Sequence, residues 1–169
     1  MNKKVLVAFA TRCGSTEGVA NKIGDVLNEK GFNAEVLPAR QVRGVEGYNA
    51  VVMGSCVRMG RIMPEMKRFM RRNAAAIGRL PAACFTVCLA LKDDTAEKRQ
   101  EAQNYLRPFT AAFNPVAAAP FAGAFDMAKM NPFFRWVFSK DKTGAFKTSD
   151  YRDWAAIGSW AEALAGKLA

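Results

Sequence analysis

The sequence predicts an α/β domain in which a parallel β-sheet carries helices on both faces. Three observations lead there. Two candidate strands, Val5–Phe9 and Ala50–Gly54, are apolar throughout rather than alternating, the mark of strands buried on both faces. Strand and helix patterns alternate five times along the chain, which calls for a parallel sheet. The first strand also runs into a loop of small and hydroxylated residues that opens directly into a helix. At 169 residues the chain suits one well-buried domain and is short for two. Residues 1–169 are read as a single domain without repeat, linker or low-complexity tract.

Val5 to Phe9 is the first strand. Val19, Ala20, Ile23, Val26 and Leu27 then recur at helical spacing until Gly31 stops the helix. Ala34–Leu37 and Ala50–Gly54 are the second and third strands. Pro64 opens the next helix, with Met66, Phe69, Met70, Ala74 and Ile77 on its inner face. Cys84–Leu89 is the fourth strand, and Asp94 is placed to cap a helix that Pro108 must bend or shorten. Val116–Phe125 supplies the fifth strand, put at an edge or bulge by Pro120. The last helix is expected to start near Ser149 or Asp150 and to bury Trp154, Ile157, Trp160, Ala161 and Leu164. Between them, residues 127–147 fit no alternation: Phe133, Phe134, Trp136 and Phe138 mix with Arg135, Lys140 and Lys142. That composition suits an interfacial membrane segment or a lid, and equally an aromatic patch packed on its own sheet.

Lys and Arg number 25 against 15 Asp and Glu, a formal charge of +10. So basic a chain favours anionic company: phosphorylated ligands, acidic small molecules, nucleic acid or an anionic membrane surface. There is no His, which removes the commonest general base and metal ligand; no metal site is expected. Cys13, Cys56, Cys84 and Cys88 form no CxxC pair, and on one strand Cys84 and Cys88 stand about 13 Å apart, beyond disulfide reach. Free thiols, an N-terminus unlike a signal peptide and no run of about 20 apolar residues point to the cytoplasm.

In an open parallel sheet, ligands bind beyond the carboxyl ends of the strands. Thr11-Arg12-Cys13-Gly14-Ser15-Thr16 lies there, offering backbone N–H groups and three hydroxyls at the positive end of a helix. It is neither a Walker loop nor GxGxxG, and its composition fits a phosphate cradle. Ser55-Cys56-Val57-Arg58-Met59-Gly60-Arg61 leaves the third strand and Leu89-Ala90-Leu91-Lys92-Asp93 the fourth. Together they would wall in a flat, mostly apolar ring. Cys13 and Cys56 fit there as small fillers, less readily as redox groups. Arg58 and Arg61, in the loop bordering that ring, could take the carboxylates of an acidic substrate.

The first loop resembles the T/S-x-T-G-x-T phosphate loop of flavodoxins. The chain is similar, more closely, to the branch of menaquinone-dependent protoporphyrinogen IX dehydrogenases, whose Thr-Arg-x-Gly-x-Thr is matched by residues 11–16. Tyr48–Gly60, Leu80-Pro81-Ala82, Glu97-Lys98-Arg99 and Tyr151-Arg152-Asp153-Trp154 extend the likeness over almost the whole chain. Two positions depart from it: Cys13 replaces a hydroxyl or acidic residue, and Met59 stands where an aromatic often lies near the ring.

The resemblance implies a three-layer fold with strand order 2-1-3-4-5. It implies FMN held by Thr11, Arg12, Cys13, Gly14, Ser15 and Thr16 at the phosphate. Around the ring it implies Ser55, Cys56, Val57, Arg58, Met59, Gly60, Leu89, Ala90 and Leu91. The implied activity is oxidation of a porphyrinogen, held by Arg58 and Arg61, with electrons passed to a quinone. The flavin carries that chemistry, so no catalytic side chain is named. The basic, aromatic insertion adds an expectation of peripheral contact with an anionic membrane. A flavodoxin-type electron carrier is the competing class, although such carriers are typically acidic. An NAD(P)H- or quinone-linked flavin reductase fits the same residues. A nucleic-acid-binding module would leave the phosphate loop unexplained, and no nucleic acid partner is expected.

Overall fold

Every strand of the central sheet is parallel except one short addition, and the more buried strands lie inside it. The computed structural model describes residues 2–129, 132, 135, 136 and 148–169. Strands β1 (Lys4–Ala10), β2 (Asn33–Pro38), β3 (Ala50–Arg58), β5 (Ala82–Cys88) and β6 (Ala117–Ala122) pair in the order β2-β1-β3-β5-β6. Counting only these five, that is the expected 2-1-3-4-5. β1, buried from Val5 onward, and the completely buried β5 lie inside the sheet, whereas half-exposed β2 and β6 form its edges. Pro120 sits in edge strand β6, where a missing N–H is harmless.

Alternate residues feed two cores. Val5, Val7 and Phe9 of β1 join Val52 and Phe85 beneath helices α1 (Ser15–Glu29) and α6 (Trp154–Leu168). Leu6, Ala8 and Ala10 join Val51, Met53 and Cys84 on the opposite face. Helix α2 (Pro64–Arg72) covers that face with Met66 and Phe69, short α3 (Ala74–Ile77) adds Ile77, and Leu106 and Phe109 complete it. In the first core, register places Gly54 between Phe9 and Phe85. A Cβ at Gly54 would stand 2.0 Å from Phe85 Cζ, so this glycine exists to admit the ring.

Several element ends differ from the sequence reading, each for a local reason. Helix α2 breaks at buried Asn73, whose side-chain amide donates to Phe69 O at 2.9 Å, and this leaves Ala74 exposed. Helix α4 (Ala96–Asn104) is capped by Thr95, whose hydroxyl accepts the Lys98 N–H, not by Asp94, which is paired with Arg99. Pro108 does shorten it: it sits in the first turn of a separate α5 (Arg107–Thr110). The fifth strand ends at Ala122. Ala124–Phe125 forms β7, which pairs antiparallel with β8 (Ser149–Asp150). Ser149 and Asp150 are therefore strand, and α6 begins three residues later with Asp153 accepting the Ala156 N–H at 2.9 Å. Trp154, at that exposed start, is 40 % accessible and stacks with Arg152 instead of entering the core. Of the insertion, Arg135 and Trp136 are exposed; Phe133, Phe134, Phe138, Lys140 and Lys142 lie outside the described residues. Among the described residues no helix is long and apolar enough to cross a membrane.

Candidate functional site

The carboxyl ends of β1, β3 and β5 open onto one cleft, because the chain leaves β1 and β3 in opposite lateral directions there. From β1 comes Thr11–Thr16. Thr11 Oγ1 accepts the Gly14 N–H at 3.0 Å, which curls the loop, and Gly14 takes φ 82° at the N-terminus of α1. A left-handed residue costs glycine nothing. No side chain caps α1, so its first amides keep their donors for a guest. Ser15 Oγ accepts the Ala124 N–H at 2.8 Å and ties β7 to the loop. Thr16 is fully buried; its Oγ1 lies by the Cys56 thiol but makes no well-formed hydrogen bond among the described residues. A buried hydroxyl without a partner costs free energy; a phosphate oxygen in the cradle above it would satisfy it.

The second wall is strand rather than loop. Ser55, Cys56, Val57 and Arg58, expected to leave β3, continue it and turn back through Met59-Gly60 into β4 (Arg61–Ile62). Met59 and Gly60 both have positive φ, 49° and 73°, as a two-residue hairpin turn requires. Ser55 is buried and committed to the scaffold: its hydroxyl donates to Cys56 O and accepts the Met63 N–H, each at 2.9 Å. Met59 projects from the tip, 92 % exposed. The third wall is Cys88–Leu89, followed by a 3₁₀ turn, Ala90–Lys92.

Together these walls and β7 enclose a cavity of about 230 Å³ lined by Thr11, Arg12, Cys13, Ser15, Cys56, Val57, Arg58, Val87, Cys88, Leu89, Gly123, Ala124, Phe125 and Lys129. Eight residues singled out from the sequence are among them: Thr11, Arg12, Cys13, Ser15, Cys56, Val57, Arg58 and Leu89. Gly14 faces a neighbouring cleft toward β2, and Thr16 and Ser55 lie beneath the surface. Met59, Gly60, Arg61, Ala90 and Leu91 do not line the cavity. Sequence reasoning missed Val87, Cys88, Gly123, Ala124, Phe125 and Lys129; Gly123 is tied to the site by its N–H on Cys88 O at 2.9 Å and Ala124 by its N–H on Ser15 Oγ.

The lining is apolar on its ring side, and burial favours the neutral form of two of its thiols. Burial pushes the Cys56 thiol up, against the opposing pull of the Arg12 amide and Thr16. Burial likewise pushes Cys88 up, with the Leu91 and Ala90 amides opposing. Both therefore stay protonated at neutral pH, as small fillers against a ring. A polar anion cradle at one end of an apolar slot is the shape of a site for a flat heterocycle carrying a phosphate.

Fold and site together define a doubly wound α/β protein that takes a phosphorylated ring at its strand-order reversal. The chain belongs to the flavodoxin domain family, whose model matches residues 6–150, and it is an FMN oxidoreductase. It is 27 % identical, over 96 % of its length and 94 % of the relative's, to the protoporphyrinogen IX dehydrogenase [quinone] of Escherichia coli K12. Among solved structures it resembles an archaeal flavodoxin, with TM-score 0.57, 16 % identity and 98 % of each chain covered. Oxidised flavodoxin 1 of Bacillus cereus matches with TM-score 0.62, 17 % identity and 98 % of each chain covered. The orphaned Thr16 hydroxyl and the uncapped start of α1 fit the FMN phosphate.

Proposed function

We propose that the chain oxidises protoporphyrinogen IX or a similar carboxylate-bearing reduced tetrapyrrole and delivers the electrons to a quinone. The observation that carries this reading is the likeness to the E. coli enzyme along nearly the whole of both chains. Two properties of the chain itself support it. Its charge of +10 attracts a polyanionic substrate, and Arg58 and Arg61 flank the turn of the hairpin beside the cavity. Bound FMN supplies the redox chemistry. The chain supplies the rest. Thr11, Arg12, Cys13, Gly14, Ser15 and Thr16 hold the phosphate. Cys56, Val57 and Leu89, which line the cavity, would cover the ring and exclude water. Arg58 and Arg61 orient the substrate by its carboxylates.

Anaerobic mixing of FMN-loaded protein with protoporphyrinogen IX tests the reading. The oxidised flavin absorbance should bleach, and a menaquinone analogue should restore it. If the absorbance persists, yet a ferredoxin or NAD(P)H-dependent reductase bleaches it, the protein is a carrier and the reading is wrong.

The phosphate assignment has its own check. FMN should bind more tightly than riboflavin, which lacks the phosphate. Thr16→Ala should weaken FMN by about 1–2 kcal/mol, the scale of losing a hydroxyl contact at a helix start, and leave riboflavin unchanged. Equal affinities for the two flavins in a fluorescence titration would exclude the cradle.

A further inference from the structure

The loop of residues 11–16 is approached from outside by a cation that belongs to a different part of the chain. The side-chain position of Gly14, at the mouth of the cradle, lies 3.4 Å from Lys129 Nζ and 3.8 Å from Lys129 Cδ. Lys129 ends the 3₁₀ turn Met127–Lys129, held by its own N–H on Asp126 O at 3.2 Å and by Asp126 Oδ1 accepting the Ala128 N–H at 2.9 Å. The strand before that turn is moored to the cradle through Ser15 and Ala124.

This placement needs explaining. The N-terminus of the fifteen-residue helix α1 carries the positive end of its dipole, where a second positive charge is unfavourable. Lys129 has no carboxylate partner among the described residues; Asp150, which shares a cleft with it, pairs with Arg152. An ammonium and the uncapped amides of α1 therefore meet at the Gly14 end of the loop, and the buried Thr16 hydroxyl belongs to the same six residues. An anion between the ammonium and the helix amides would turn that repulsion into two favourable contacts.

We infer that Lys129 is a phosphate ligand: its ammonium closes the cradle over the FMN phosphate, so the base of the aromatic insertion takes part in cofactor recognition. This rests on FMN occupying the cradle and adds to it a charged contact from outside the loop.

The test titrates wild-type, Lys129→Ala and Lys129→Arg apoproteins with FMN and with riboflavin at low and high salt. Lys129→Ala should weaken FMN about tenfold, the lower end for a charge-assisted contact at a partly exposed site, and leave riboflavin unchanged. Lys129→Arg should keep FMN affinity within about threefold of wild type, since the charge is retained. The salt dependence of FMN binding should be shallower in Lys129→Ala than in wild type. Unchanged FMN affinity in Lys129→Ala overturns the inference. So does an equal loss for FMN and riboflavin, which would make Lys129 a prop of the loop and not a phosphate ligand. Failure of the wild type to bind FMN would instead sink the cofactor assignment of the cradle.

Discussion

Gly54→Ala should lower stability by about 3 kcal/mol, at the upper end of what one inserted methyl costs in a packed core. In a chain of 169 residues that corresponds to a fall in Tm of about 6–12 °C. The added Cβ would lie 2.0, 2.4 and 2.5 Å from three atoms of the Phe85 ring. The ring cannot swing away cheaply: Phe85 is fully buried, with its centroid 6.1 Å from Phe121 and 6.3 Å from Trp160. Those two rings in turn meet edge to face at 5.7 Å. The clash must be relieved by parting β3 from β5 or by breaking the aromatic cluster under α6. Urea denaturation of the apoproteins measures the loss. In a double-mutant cycle, Phe85→Leu should cost clearly less in the Gly54→Ala background than alone, because it removes the clashing atoms. Additive effects would show that the ring is not what Gly54 accommodates.

That contact also marks what a sequence can and cannot disclose. The runs at Val5–Phe9, Ala50–Gly54 and Cys84–Leu89, apolar but for Thr86, announce buried strands because burial on both faces selects against polar residues. The phosphate loop is legible because its chemistry is local: hydroxyls, a glycine and a helix start within six consecutive residues. Gly54 looks like any small strand residue until the register sets it between Phe9 and Phe85, and register joins segments distant along the chain. The continuation of β3 through Ser55–Arg58 was hidden for another reason. Beyond the covered part of the sheet a strand loses its apolar requirement, and Met59-Gly60 lacks the Asn-Gly or Asp-Gly signature of a tight hairpin. Ser149–Asp150 reads as a helix start because both residues favour caps. Only pairing with Ala124–Phe125 reveals a strand, and both of those partners line the cavity.

The hairpin correction sharpens the expectation for Arg58. As the last residue of a paired strand, opposite Arg61, it is held by backbone hydrogen bonds on a rigid element, which positions a recognition group better than a loose loop does. It also lines the cavity at its rim, where a substrate approaching the ring would pass. A guanidinium meeting a propionate makes charge-assisted hydrogen bonds, often two in parallel, worth about 1.5–3 kcal/mol. Arg58→Ala should therefore lower kcat/KM for protoporphyrinogen about ten- to a hundredfold, while FMN stays bound at wild-type stoichiometry. Arg58→Lys should recover only part of the loss, because an ammonium keeps the charge without the planar fork. Raising the salt should weaken the wild type toward the alanine variant, since a contact at an open rim is screened. If Arg58→Ala instead sheds FMN and activity together, Arg58 serves the cofactor, and the carboxylates must be met elsewhere on the basic surface.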